Sequence, residues 1–211
     1  MYEFSRRISP WHDIPLRPGS DPFVINFVNE IPRGYVLFHR AHMPSTRAKL
    51  EISTSLDGNP IVQDVKKGKL RNYALDSVVN YGCVPQTWED PSKLDPLCPY
   101  KGDNDPLDVC EIGSRVASVG QVYPVRVLGV LGLIDGGEMD WKIIAIDDNN
   151  PEFEDITDVP ESRLSEILCW FRDYKIPEGG ARNAFAFDGS FQDRNFACQV
   201  IEHTHSSYKS R

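Results

Sequence analysis

Gln121–Leu133 is the longest run of strand-forming residues in the chain and does most to limit the fold. Its closely spaced valines and leucines favour a pleated, extended backbone. Gly129 and Gly132 ease a bend within it, so a strand of this length can cross a barrel wall. Shorter strands are predicted at Phe23–Asn29, Ala48–Ile52, Pro60–Asp64, Leu107–Ile112 and Trp141–Ile146, separated by Gly and Pro turns. Short strands with such turns point to a barrel or a sandwich. No apolar run approaches the length of a bilayer span.

The last third changes character. Asp158-Val159-Pro160-Glu161 offers an N-cap with an acidic residue three positions on. Leu164, Ile167, Leu168 and Phe171 then recur with helical spacing, predicting an amphipathic helix that ends before Pro177. Ser190 to Asp193 opens a second helix, with Phe196, Val200 and Ile201 facing the core. The expected class is α+β, mainly β: a barrel with helices packed on its outside. The 211 residues suffice for one sizeable core and are expected to form a single domain, 1–211, with 190–211 a C-terminal helix and tail.

The chemistry is concentrated in Asp103-Asn104-Asp105-Pro106-Leu107-Asp108. Pro106 removes a backbone donor and biases Asp105 towards an extended conformation. Alternate side chains of an extended segment share a face, so Asp103 and Asp105 point the same way, and a turn can bring Asp108 to join them. Clustered carboxylates repel one another unless a cation sits among them, and an all-oxygen ligand set suits Mg²⁺ or Mn²⁺ better than Zn²⁺. A second acidic turn, Asp135-Gly136-Gly137-Glu138-Met139-Asp140, precedes Lys142, which shares a strand face with Asp140. An EF-hand fails: its sixth position would be Asp108 where Gly is needed, and its twelfth Ser114 where Glu is needed. A D-x-D glycosyltransferase motif lacks the accompanying nucleotide-binding patterns.

The net charge of −8 argues against a nucleic-acid binder working by phosphate neutralisation. The basic run Lys66-Lys67-Gly68-Lys69-Leu70-Arg71 is by default a solvated turn, with a phosphate contact or a localisation signal the sharper alternative. Five cysteines without C-x-x-C spacing read as free thiols in a reducing compartment, Cys110 as buried filler. Met1 to Arg7 shows no secretory signal. His203 and His205 read as a solvent-exposed tail, and Trp11 and Trp88 as possible interface aromatics.

The string Gly102-Asp103-Asn104-Asp105-Pro106-Leu107-Asp108-Val109-Cys110-Glu111-Ile112-Gly113 resembles the signature of soluble family I inorganic pyrophosphatases. Ile8 to Pro15, Ala48 to Ile52, Gln63 to Arg71, Asn80-Tyr81-Gly82, Pro85 to Pro91, Asp140 to Lys142 and Trp170 to Pro177 extend the resemblance along most of the chain, towards the eukaryotic branch. It implies a five-stranded closed barrel of OB type with flanking helices and an N-terminal extension. It also implies Mg²⁺-dependent hydrolysis of pyrophosphate to two phosphates without a covalent intermediate, with several ions per site and Mn²⁺ or Co²⁺ as substitutes. A cytoplasmic homodimer with no nucleic-acid or membrane partner is expected. Residue by residue, Asp103, Asp108, Asp135, Asp140 and Glu51 match metal ligands, and Glu30 a carboxylate acting through water. Asp105 matches the general base, and Lys49, Arg71, Tyr81, Lys142, Tyr174 and Lys175 the phosphate-contacting set.

Departures from the pattern accompany it. Residues 34–45 read as an insertion containing the apolar run Tyr35-Val36-Leu37-Phe38. Ser77 stands where the family often carries a Tyr that helps position the general base. Gly136 and Gly180 replace charged residues, which implies weaker substrate or metal affinity.

Overall fold

The computed structural model describes residues 8–34, 47–66 and 68–211. Its strands are β1 (Val24–Ile31), β2 (Leu50–Ile52), β3 (Ile61–Gln63), β4 (Val65–Lys66), β5 (Lys69–Leu70), β6 (Asn80–Cys83), β7 (Lys101–Gly102), β8 (Asp108–Glu111), β9 (Val122–Asp135), β10 (Glu138–Asp147) and β11 (Ala184–Phe185). Helices α1 (Glu161–Asp173) and α2 (Arg194–Lys209) complete a mainly β architecture.

The hairpin of β9 and β10 organises the rest. Along β9 the central residues are buried on both faces, and β10 is buried after its first residue. Such a two-sided apolar strand needs cover on each side. One side lies over Phe27, Val109, Trp141 and Ile143, with Val200 and Ile201 of α2. The other packs Leu128, Leu133, Ile144 and Ile146 against Ile167, Trp170 and Phe171 of α1. Neighbour pairings run β9–β1–β6–β8–β10, and β10 pairs again with β9. The β8–β10 pairing is parallel and sets Asp108 opposite Lys142.

The structure departs from the sequence-based expectations in several places. Strand β6 was not anticipated, because Asn-Tyr-Gly-Cys lacks alternation; Asn80 is instead fully buried by hydrogen bonds to Glu111 and to the backbone of Arg33, Arg115 and Ala117. Ala48 forms only an isolated bridge with Asn72, so the Ala48–Ile52 strand shortens to β2. The capping box is Asp155 with Asp158, on the short 3₁₀ turn Ile156–Asp158. Helix α1 starts after Pro160 without a side-chain cap. The expected C-terminal tail is helical: His203 and His205 lie within α2, and His205 Nδ1 is 2.6 Å from the Gln86 carbonyl. Trp11 is fully buried and offers no interface. The run Tyr35 to Phe38 and Met1 to Arg7 lie outside the described residues.

Candidate active site

A cleft of about 300 Å³ opens at the end of the β9–β10 hairpin. Every site residue named from the sequence lines it: Glu30, Lys49, Glu51, Arg71, Tyr81, Asp103, Asp105, Asp108, Asp135, Asp140, Lys142, Tyr174 and Lys175. They come from segments far apart in the chain, so the fold alone brings them together.

The acidic loop is a turn rather than an extended segment. The Asp105 amide donates to Asp103 Oδ1 at 3.0 Å, and Asn104 adopts a left-handed backbone (φ 78°), which Asn tolerates better than most residues. The turn folds against the segment at Glu89. The Glu89 amide donates to the Asp105 carbonyl, and the Asn104 amide to the Glu89 carbonyl, both at 2.9 Å. Gly102 permits this approach, since a Cβ there would stand 2.4 Å from the Glu89 carbonyl carbon. The Trp88 indole N–H adds a bond to Asn104 Oδ1 at 3.1 Å.

On the floor, alternation along β10 directs Asp140 and Lys142 into the cleft and Trp141 into the core. Lys142 is 2 % exposed. Its ammonium donates to Asp108, to Asp140 at 2.5 Å and to the Tyr81 hydroxyl at 2.9 Å. The Tyr81 hydroxyl in turn donates to Asp108. Burial opposes the Lys142 charge, but Asp108 and Asp140 outweigh it and raise its pKa. Burial, then the charges of Glu51 and Asp108, lift the Asp105 carboxyl to about 7. Burial also lifts Asp140 to about 7, with Lys142 opposing and Asp108 reinforcing the shift. Asp103 and Glu30 are raised by burial too, and then by neighbouring aspartates. Glu30 spends one oxygen on the Ile52 amide at 2.6 Å.

The rim is cationic. The Arg71 guanidinium meets Asp64 Oδ2 at 2.5 Å, and Lys49 lies 3.3 Å from the same oxygen and 3.4 Å from Glu51. Lys175 and the Tyr174 hydroxyl donate to the two oxygens of Asp135, the latter at 3.0 Å. Lys66, in the hairpin of β4 and β5, also lines the cleft, so the basic run is more than a solvated turn.

Three departures from the family pattern take on a physical form. Ser77 does not line the cleft; its hydroxyl donates to the Val79 carbonyl at 2.7 Å and so shapes the turn before β6. Gly180 donates its amide to the Lys175 carbonyl at 2.9 Å, and a Cβ at this position would crowd the Lys175 Cβ at 2.8 Å. Gly136 does line the cleft, at a positive φ of 63° with open space around it.

Residues 42–209 match the inorganic pyrophosphatase family. The chain belongs to that family. The inorganic pyrophosphatase of Bos taurus is 45% identical over 219 residues, covering 99% of this chain and 71% of the relative. The inorganic pyrophosphatase structure from Schistosoma japonicum superposes with a TM-score of 0.87 at 43% identity, covering 96% of this chain and 71% of that one. A Trypanosoma cruzi vacuolar soluble pyrophosphatase, truncated of its N-terminal domain and in complex with PPi, gives 0.85 at 45% identity over 96% and 79% of the two chains.

Inorganic pyrophosphatases are hydrolases, and two acids of this member's site went unassigned in the sequence. Asp64 ends a predicted strand and falls in the resemblance without a role, although it joins Lys49 and Arg71. Glu89 was quoted in the resemblance without a role. An oxygen of Glu89 lies within 4.8 Å of oxygens of Asp103 and Asp140. Both are visible as acids in sequence, but their partners are set by tertiary contacts. The orphaned oxygen of Glu89, Oε2, is buried without a hydrogen-bond partner, and a cation among these three acids answers that deficit. No helix among the described residues is long and apolar enough to cross a membrane.

Proposed function

We propose that the chain hydrolyses inorganic pyrophosphate to two phosphates in this cleft, with Mg²⁺ as cofactor. The observation that carries the proposal is the convergence of buried acids on the floor with lysines, arginine and tyrosines on the rim, in a member of this family. Asp103, Asp108, Asp140, Asp135 and Glu51 would hold the ions, with Glu30 acting through water. When bound, Mg²⁺ supplies charge neutralisation of phosphate oxygens and Lewis acidity towards water.

The chain's own residues supply the rest. Lys49, Arg71, Tyr81, Lys142, Tyr174 and Lys175 present donors to the phosphate oxygens and counter the charge that develops on the departing phosphate. Asp105 is the floor carboxylate suited to accept a proton: in the metal-free cleft burial and its acidic neighbours lift it to about 7, so it is a stronger base than an ordinary carboxylate. Asp105 removes the proton from the attacking water as the new P–O bond forms on one phosphorus. The bridging P–O bond breaks and releases the second phosphate, with no covalent intermediate.

The ring of pairings through β9, β1, β6, β8 and β10 supports a single domain built on a closed five-stranded OB-type barrel. Five unpaired cysteines fit a reducing compartment such as the cytoplasm. The decisive test is phosphate release from pyrophosphate by the purified protein with Mg²⁺, beside Asp105→Asn. The parent is expected to turn over and the variant to fall by roughly 10²–10⁴-fold. Equal background release from both sinks the proposal.

A further inference from the structure

Glu89 does not line the main cleft. It lies behind the floor, beside a pocket of about 40 Å³ bordered by Asp90, Asp95 and His203. Only 4 % of Glu89 is exposed. Its Oε1 accepts the Trp141 amide at 3.0 Å, which anchors the carboxylate to β10 directly after Asp140. Its backbone is bonded on both sides to the Asn104-Asp105 turn, directly after Asp103. The carboxylate is thus fixed by the two segments that carry the nearest acids. Its other oxygen, Oε2, has no partner.

A buried carboxylate oxygen without a donor is costly, and the neighbouring carboxylates offer no hydrogen when ionised. Lys142 serves Asp140 and Asp108, and no hydrogen bond joins it to Glu89. A small cation with oxygen ligands would supply that partner, since one carboxylate oxygen each of Glu89, Asp103 and Asp140 lie within 4.8 Å of one another.

We propose that Glu89 is a direct ligand of a divalent cation shared with Asp103 and Asp140, a ligand beyond the set that the family resemblance supplies. The inference rests on the reading of this cleft as a metal-dependent site. Bound there, the ion joins the segment at Glu89, the acidic turn and β10. This is a structural clamp as well as a charge.

The test measures binding of Mn²⁺ alone, by calorimetry and by thermal shift, to metal-free parent, Glu89→Gln, Glu89→Asp and Asp140→Asn. Glu89→Gln keeps the Oε1 bond to Trp141 and removes the charge. It is expected to lose roughly 10–100-fold in affinity for the tightest Mn²⁺, together with most of the Mn²⁺-induced rise in Tm. Glu89→Asp, which keeps the charge but withdraws it, should lose less; this variant also decides the matter if the Gln variant does not fold. If both Glu89 variants bind as the parent does while Asp140→Asn loses the ion, Glu89 is a buried neutral acid. The inference then fails with the metal-dependent reading intact. If the parent binds no Mn²⁺, both fail together.

Discussion

Asp105 and Asp140 on the floor of the cleft have carboxyls lifted to about 7, even though Asp140 lies 2.5 Å from Lys142. On the rim, Asp64 and Asp135 are also partly desolvated, yet contacts with Arg71 and Lys175 outweigh burial and hold them below the usual carboxylate range. The floor has more buried negative charge than its one buried lysine can neutralise, and so is incomplete until cations arrive. On the rim Lys49, Arg71 and Lys175 are already matched by acids, and an incoming anion must compete with those acids for them. On the proposed function, one cleft would bind its two kinds of partner by different routes, filling a deficit on the floor and exchanging partners on the rim.

The largest expected break in this symmetry is with pH. Protons compete with metal for floor acids that titrate near 7, so metal affinity weakens as pH falls. Between about pH 8 and about pH 6 the ligand Asp140 alone should lower Mn²⁺ affinity measured by calorimetry roughly tenfold. The rim acids stay ionised through that window and contribute no such slope. A flat profile would mean that the floor is not held neutral by its neighbours.

A comparable effect is expected on the rim. Asp64→Ala frees Lys49 and Arg71 from the acid that fixes them both. Steady-state kinetics should show KM for pyrophosphate raised about tenfold with kcat changed much less, because positioning for binding is lost while the floor is untouched. A fall in kcat alone would place Asp64 elsewhere in the reaction.

The smallest effect is on stability. A carboxyl whose folded pKa lies above its unfolded value stabilises the fold at low pH, and that contribution is lost as pH rises through the folded value. For Asp105 this loss develops between about 4 and about 7. Asp105→Asn escapes it. In metal-free buffer at about pH 8 the variant should be more stable than the parent by about 1 kcal/mol, or roughly 2–4 °C in Tm, and the gain should shrink towards about pH 5. Thermal melts at the two pH values check this.

The sequence carried the cleft further than it carried the fold's details. The acidic cluster was legible because charge repulsion acts within six residues, although its backbone turns at Asn104 where proline geometry suggested an extended segment. The β9–β10 hairpin was legible because length and β-branching agree. Strand β6 was not, since Asn80, Tyr81 and Gly82 are placed by hydrogen bonds and close packing rather than by alternation. Asp64 and Glu89 escaped for another reason. Each works through side chains that only the folded backbone brings near, and an acid in a turn or strand end looks the same in sequence whether it meets solvent or a buried site. Asp158 does not cap α1: its side chain completes the capping box of Asp155 on the 3₁₀ turn, and α1 starts after Pro160 without a side-chain cap.

The parallel pairing of β8 with β10 bears on which length changes the chain can accept. Asp108 faces Lys142 because the two strands keep one register, and Asp140 and Lys142 share a face because they are two residues apart. A one-residue insertion at the Gly136-Gly137 turn leaves that spacing intact and merely loosens a tip. The same insertion at Trp141 would break the two-residue spacing, driving either Asp140 or Lys142 towards the core and bringing an apolar side chain towards the substrate. Indel tolerance along this hairpin should therefore change abruptly within a few residues, and homologous chains should vary in length at the tip while keeping the Asp-x-Lys interval fixed.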